Sequence, residues 1–286
     1  MNLFCKLFLS LVLAMTLCVA NGQSAGAPEP ISQTLQDYFY TAIKKWNAGQ
    51  SSMSNFPNIN TPMSQAMSTS EFSSVRTQLR QAGAKAWPLA PKVIEQLLQT
   101  TSNQYDLGWI LTELTPSANP TSDFYFAAAS VLNGNDPVER INTIAKLGKT
   151  SQADAVPFLV KAAASADARE RVVALIALGY SGKQSPSSAV KALGRALTDS
   201  EKFNRQAALN ALRLLGGDAV DVLPEISAYL RTRENIYMTS GVLKNFPTSA
   251  LVPLRAEFES IIRDTKYTEF QKKDAIDILL RIELGN

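Results

Sequence analysis

Histidine is missing from the sequence altogether, and the only cysteines, Cys5 and Cys18, sit close to its start. Past that point the chain has no Cys or His nucleophile, no His general base, no Ser-His-Asp triad and none of the usual zinc ligand sets. Disulfides are excluded with them, so stability must come from packing. Paired carboxylates and Ser-Lys arrangements are the chemistry that remains. Charge of one sign is scarce too: 28 Lys and Arg face 25 Asp and Glu, a formal net charge of +3, with no basic or acidic tail. That balance is too mild to argue for nucleic acid. With 45% hydrophobic and 19% charged residues, the 286-residue chain reads as neither disordered nor a coiled-coil rod, and it is long enough for one large domain or two ordinary ones.

Only one long apolar run is present. Lys6 is followed by Leu7 to Val19, interrupted by Ser10 and Thr16 and ending in small residues around Ala20 and Gly22. This reads as a secretory signal peptide over residues 1–22. At ~1.5 Å per residue the run makes about 20 Å of helix, short of a ~30 Å hydrocarbon core. The expectation is an exported protein, periplasmic or extracellular, with no stable membrane insertion after leader removal. Lipidation at Cys18 is disfavoured because Leu17, not a small residue, precedes it.

From Ile31 to Trp46, the spacing of Leu35, Tyr38, Phe39, Ala42, Ile43 and Trp46 predicts an amphipathic helix. No charge occurs between Lys45 and Glu71; this polar stretch, with Met53, Phe56, Met63 and Met67 scattered through it, reads as a long loop with one helical turn after Thr61-Pro62. The domain reading is therefore a leader at 1–22, a helix plus polar loop at 23–70, and a helical array at 71–286.

Within that array the sequence repeats. Asp136 to Arg140 is followed by Ile141, Ile144, Ala145, Leu147 and Gly148; Asp167 to Arg171 is followed by Val172, Leu175, Ala177, Leu178 and Gly179. Asp199, Arg205, Ala208, Ala211, Leu212, Leu215 and Gly216 form a looser third copy. Second helices begin near Val156-Pro157, Val190, Leu223-Pro224 and Val252-Pro253. The repeat boundaries are 71–100, 104–134, 136–165, 167–198, 199–231 and 233–264, with a terminal helix over 267–282. The acids at 136 and 167 are placed to cap helices, with Glu139 and Glu170 completing capping boxes. Gly148, Gly179 and Gly216 are placed to make left-handed turns after helices.

The pattern of Val156-Pro157-Phe158-Leu159 followed by Asp167 through Gly179 resembles the HEAT repeat of the short bacterial type, also found in phycobilisome lyases. The resemblance implies an all-α fold: an α-solenoid of about six antiparallel helix pairs, with an N-terminal helix and a C-terminal capping helix. It also implies a structural ladder of acid and arginine between successive units, made here by Asp136, Arg140, Asp167, Arg171, Asp199 and Arg205. In such arrays the second helices line the binding face, which would present Phe158, Lys161, Lys191, Arg195, Tyr229 and Arg255. A further surface is expected at Phe124-Tyr125-Phe126, since one helix cannot bury three consecutive aromatics.

The functional expectation is a non-catalytic exported scaffold or adaptor that binds a protein partner along the solenoid, with no cofactor, no metal and no nucleic acid. The alternative is a helical hydrolase or lyase of the cell envelope that uses carboxylates such as Glu139, Glu170 and Asp154.

Overall fold

Helices begin where the sequence supplies a cap or a proline. Asp136 accepts the amides of Val138 at 2.8 Å and Glu139 at 3.3 Å, and Asp167 accepts that of Arg169 at 2.8 Å. Prolines occupy the first turns of the helices starting at Ala90, Pro137, Val156, Pro186 and Leu223, where a missing N–H costs nothing. The computed structural model describes residues 29–53, 69–101, 103–117 and 120–285. The expected leader, Cys18, and the turn at Thr61-Pro62 with Phe56, Met63 and Met67 lie outside the described residues.

The helices are α1 (Gln33–Met53), α2 (Thr69–Ala82), α3 (Ala90–Gln99), α4 (Gln104–Leu114), α5 (Ser122–Leu132), α6 (Pro137–Lys149), α7 (Val156–Ala162), α8 (Ala168–Ser181), α9 (Pro186–Ala196), α10 (Lys202–Leu215), α11 (Leu223–Arg231), α12 (Ile236–Leu243), α13 (Thr248–Leu251), α14 (Arg255–Arg263) and α15 (Glu269–Leu284). No strand occurs among the described residues. The first helix runs on into the stretch expected to be loop, as far as Met53. Trp46 is buried and stacked on Phe72, and Asn47 donates to Gln96, so the helix stays packed beyond its last charged residue.

From α6 onward the fold is an all-α repeat array. The first helices α6, α8, α10 and α12 stack in chain order, and α15 packs on α12 as one more member of the same layer. The second helices α7, α9 and α11 lie side by side. First helices approach through small residues. A Cβ added at Gly148 of α6 would lie 2.5 Å from the Ala177 Cβ of α8, and one at Gly179 of α8 would lie 3.1 Å from the Ala211 Cα of α10. Gly148 and Gly179 therefore serve close helix contact rather than the expected left-handed turns; of the three, only Gly216 has a positive φ, at 66°.

The N-terminal half departs from strict pairing. Helix α5 packs on α6, whereas α4 packs on α3 and crosses onto α8, also touching α6 and α10. Its Gly108 sits against Ile176, Val173 and Val172 of α8. The run Val172 to Gly179 is consequently buried on every side, as a helix with apolar residues all round requires. The expected pair α4–α5 is replaced by a strap laid over the first-helix layer.

Candidate functional site

Arginines fasten successive units. Arg140 Nε lies 2.7 Å from Glu170 Oε1, and its Nη1 donates to the Gly134 carbonyl. Arg171 binds Asp199 through Nε at 2.7 Å and Nη2 at 2.9 Å, while Nη1 reaches the carbonyls of Ser165 and Ala166. Arg205 does the same with Glu234 and with the carbonyls of Asp199 and Ser200. Each guanidinium thus ties the loop entering its own helix to an acid of the next unit; Arg171 and Arg205 do so through two nitrogens, the bidentate geometry that arginine favours, and Arg140 through Nε alone. The acids do not all coincide with the expected set. Glu170 takes the place assigned to Asp167, and its bonds to Arg140 and Ser165 use the carboxylate expected to close a capping box. Asp167 instead pairs with Arg169 of its own unit, and Asp136 remains a cap. The missed partners Glu170 and Glu234 carry a signal in hindsight: an acid follows each ladder arginine by 28 to 30 positions.

These contacts set the acid sensitivity. Hydrogen bonds from Arg169 hold the Asp167 carboxyl below its ordinary range. Burial alone would raise Asp199, but Arg171, the Glu201 amide and Asn204 outweigh it and the carboxyl is lowered. Asp106 is shifted the other way, raised by burial with Arg76 opposing. A lowered carboxyl stabilises the fold above its unfolded value of about 3.9 and loses that stabilisation as pH falls through the folded value; Asp106 contributes in the opposite sense. With the lowered groups in the majority, the melting temperature should be flat from about pH 7 to 5 and fall below about pH 4. Asp199→Asn should flatten that fall. Melting scans across this range check it, and an acid limb identical in wild type and variant would refute the assignment.

The second-helix face holds most of the expected binding residues. Lys161, Lys191, Arg195 and Arg255 are exposed, and Phe158 is half-buried. Two expectations are corrected. Tyr229 is 3% exposed, because α11 buries Ile226, Ser227, Tyr229 and Leu230 and presents Glu225, Ala228 and Arg231 instead. Phe124 is buried as well, while Tyr125 stacks on Phe158 at 6.0 Å and Phe126 is left 80% exposed. The stack and the 2.9 Å bond from Lys161 to Asn133 bring α5 beside α7.

On the opposite side, a knot of polar groups anchors the strap. The Tyr180 hydroxyl donates to Glu113, and the Lys149 ammonium lies 4.9 Å from the Tyr180 ring centroid. Burial, then the Glu113 carboxylate, push the Tyr180 phenol upward, so it stays a donor; burial lowers Lys149, with Glu113 opposing. At its other end α4 is held by Arg76, which pairs with Asp106 at 2.9 Å and covers the Trp109 ring. Arg169 donates to the Leu98 carbonyl at the end of α3. These side chains hold helices together. Among the described residues no group of three or more acids, Cys or His is arranged to hold a metal, and no helix is long and apolar enough to cross a membrane.

Residues 156–237 match the family model of HEAT repeats. A search of curated proteins finds no match to the chain.

Proposed function

Taking the HEAT repeats of its central segment as the premise, we propose that the protein is a non-catalytic exported scaffold whose second-helix face receives a protein partner. The observation that carries this is the covering of α8: with α4 laid over its outer side, the middle of the array has its first helices occupied and its second helices open. Stacked repeats suit recognition of extended partners. Export rests on the leader-like run at 1–22, and the non-catalytic reading on the absence of histidine and of any cysteine beyond Cys18. Of the acids named for the hydrolytic alternative, Glu170 is committed to Arg140 and Ser165, while Glu139 lies on α6 and Asp154 before α7.

A photoreactive residue at Ser188, exposed on α9, should yield a discrete adduct with a partner polypeptide in the native envelope or secreted fraction. The same group at Ser74, exposed on α2, should not. Adducts at Ser74 alone, or at neither position, would refute the proposal.

A further inference from the structure

The cations of the second helices fall into two groups. Towards the ends of the array each has a carboxylate: Lys92 has Asp37 at 3.8 Å, Arg231 has Glu257 at 2.6 Å, Arg255 has Glu283 at 3.6 Å and Arg263 has Glu259 at 2.9 Å. In the middle, among the described residues, none does. Lys161 is bound only to the neutral amide oxygen of Asn133, and Lys191 and Arg195, one turn apart on α9, have no ion pair among the described residues. Neither α7 nor α9 contains an acid. The flanking carboxylates are Asp123 at the start of α5, Asp154 before α7, Asp218 and Asp221 on the 3-10 segment Gly216–Val222 that packs on α9, and Glu225, whose carboxyl carbon lies against α9 at Gly194. Glu225 therefore bounds the positive sector on the α11 side.

Phe126 lies on the other flank, 80% exposed on a helix whose neighbouring ring, Tyr125, is fixed by its stack on Phe158. An isolated exposed ring needs no explanation. Here its helix lies beside α7, in the stretch of the face whose cations lack carboxylates among the described residues, and buried aromatic anchors beside charged contacts are the usual composition of a binding hot spot. We propose that the sector formed by α5, α7 and α9 binds an extended acidic protein segment carrying one apolar side chain. Lys161, Lys191 and Arg195 meet its carboxylates and Phe126 meets its apolar residue. The inference rests on the second-helix reading above and adds the chemistry of the partner.

The test uses the full chain and four labelled probes followed by fluorescence anisotropy at about 50 mM salt, where surface charge is weakly screened. They are a twelve-residue Asp/Glu-rich peptide with one leucine, the same peptide with serine for leucine, a Lys-rich peptide, and a single-stranded oligonucleotide of equal length. The leucine-bearing acidic peptide should bind best. The double variant Lys191→Glu, Arg195→Glu should weaken it by about tenfold or more, the scale expected when two attractive contacts become repulsive. Phe126→Ser should abolish the preference for leucine over serine, and Lys273→Ala, at a cation of α15 already paired with Asp277, should change nothing. All these positions are exposed, and circular dichroism confirms that the variants fold. Unchanged affinity in the double variant, or an oligonucleotide that binds as tightly as the peptide, would overturn the inference. If Ser188 crosslinks to a partner while the acidic peptide fails to bind, the partner's chemistry is wrong and the scaffold reading stands; if both fail, both fall.

Discussion

Gly148→Ala should destabilise the protein by about 3 kcal/mol, against the usual gain of up to ~1 kcal/mol when alanine replaces glycine in a helix. The new methyl would stand 2.5 Å from the Ala177 Cβ and 2.9 Å from its Cα, distances that force α6 and α8 apart. Overpacking of this kind costs about 1–3 kcal/mol when neighbours can yield. They cannot yield here, because α8 is held between α6, α10 and α4. For a chain of this size about 3 kcal/mol corresponds to a fall of roughly 6–12 °C in the melting temperature. Gly217→Ala supplies the contrast: its Cβ would meet only the Asn245 carbonyl oxygen, at 3.7 Å, and the change should stay within about 0.5 kcal/mol. Adding Ala177→Gly to Gly148→Ala should restore part of the loss, since one of the two opposing methyls is gone. Thermal or denaturant unfolding of the three variants decides the matter; a Gly148→Ala protein as stable as wild type would mean the helices do not meet at this point.

Arg171→Ala should cost about 2–4 kcal/mol. Its pair with Asp199 is largely withdrawn from water, with the side chains 15% and 11% exposed, and removing one member of a buried pair leaves the other charge uncompensated. The carbonyls of Ser165 and Ala166 lose their donor at the same time. Asp199 keeps the Glu201 amide and Asn204, which places the expected loss below the full value for a stranded charge. Arg171→Lys should recover only part of it, because an ammonium cannot reproduce the two-pronged contact. By comparison, Arg263→Ala breaks a pair whose arginine is 77% exposed and should cost less than about 0.5 kcal/mol. Equal effects at 171 and 263 in urea unfolding would show that the ladder carries no stability.

The repeat architecture was legible because each unit restates the same requirements. A cap, an arginine and an apolar stripe recur, so helices α6 to α11 fall within the repeats read from Asp136, Asp167 and Asp199. The strap was not legible. Leu107, Ile110, Leu111 and Leu114 give α4 an apolar stripe that would suit any neighbouring helix, and nothing local in it distinguishes α5 from α8 as the receiving surface. Gly108 acquires its meaning only once Val173 and Ile176 are seen against it. On the second-helix face the exposed charges were easy to anticipate, since Lys191 and Arg195 cannot be buried cheaply. Tyr229 was misplaced because α11 is short and follows a 3-10 segment at Gly216–Val222, which shifts the phase of its buried stripe. For Phe124 to Phe126 the sequence demanded that one ring be exposed, and tertiary packing against α7 selected Phe126.

A row of helix pairs joined only to their neighbours behaves as a spring: it extends under load and loses units one at a time from either end. Helix α4 changes that mechanical character. Its contact from Glu113 to Tyr180 bridges 67 positions of sequence, and the same helix bears on α6, α8 and α10 together, so it braces three successive units as a crossbar braces a ladder. Stretching the middle of the molecule would have to tear this crossbar away first, and folding must close a long loop before the brace can form. The central repeats should therefore yield together and late under force, a stiff block within an otherwise elastic chain.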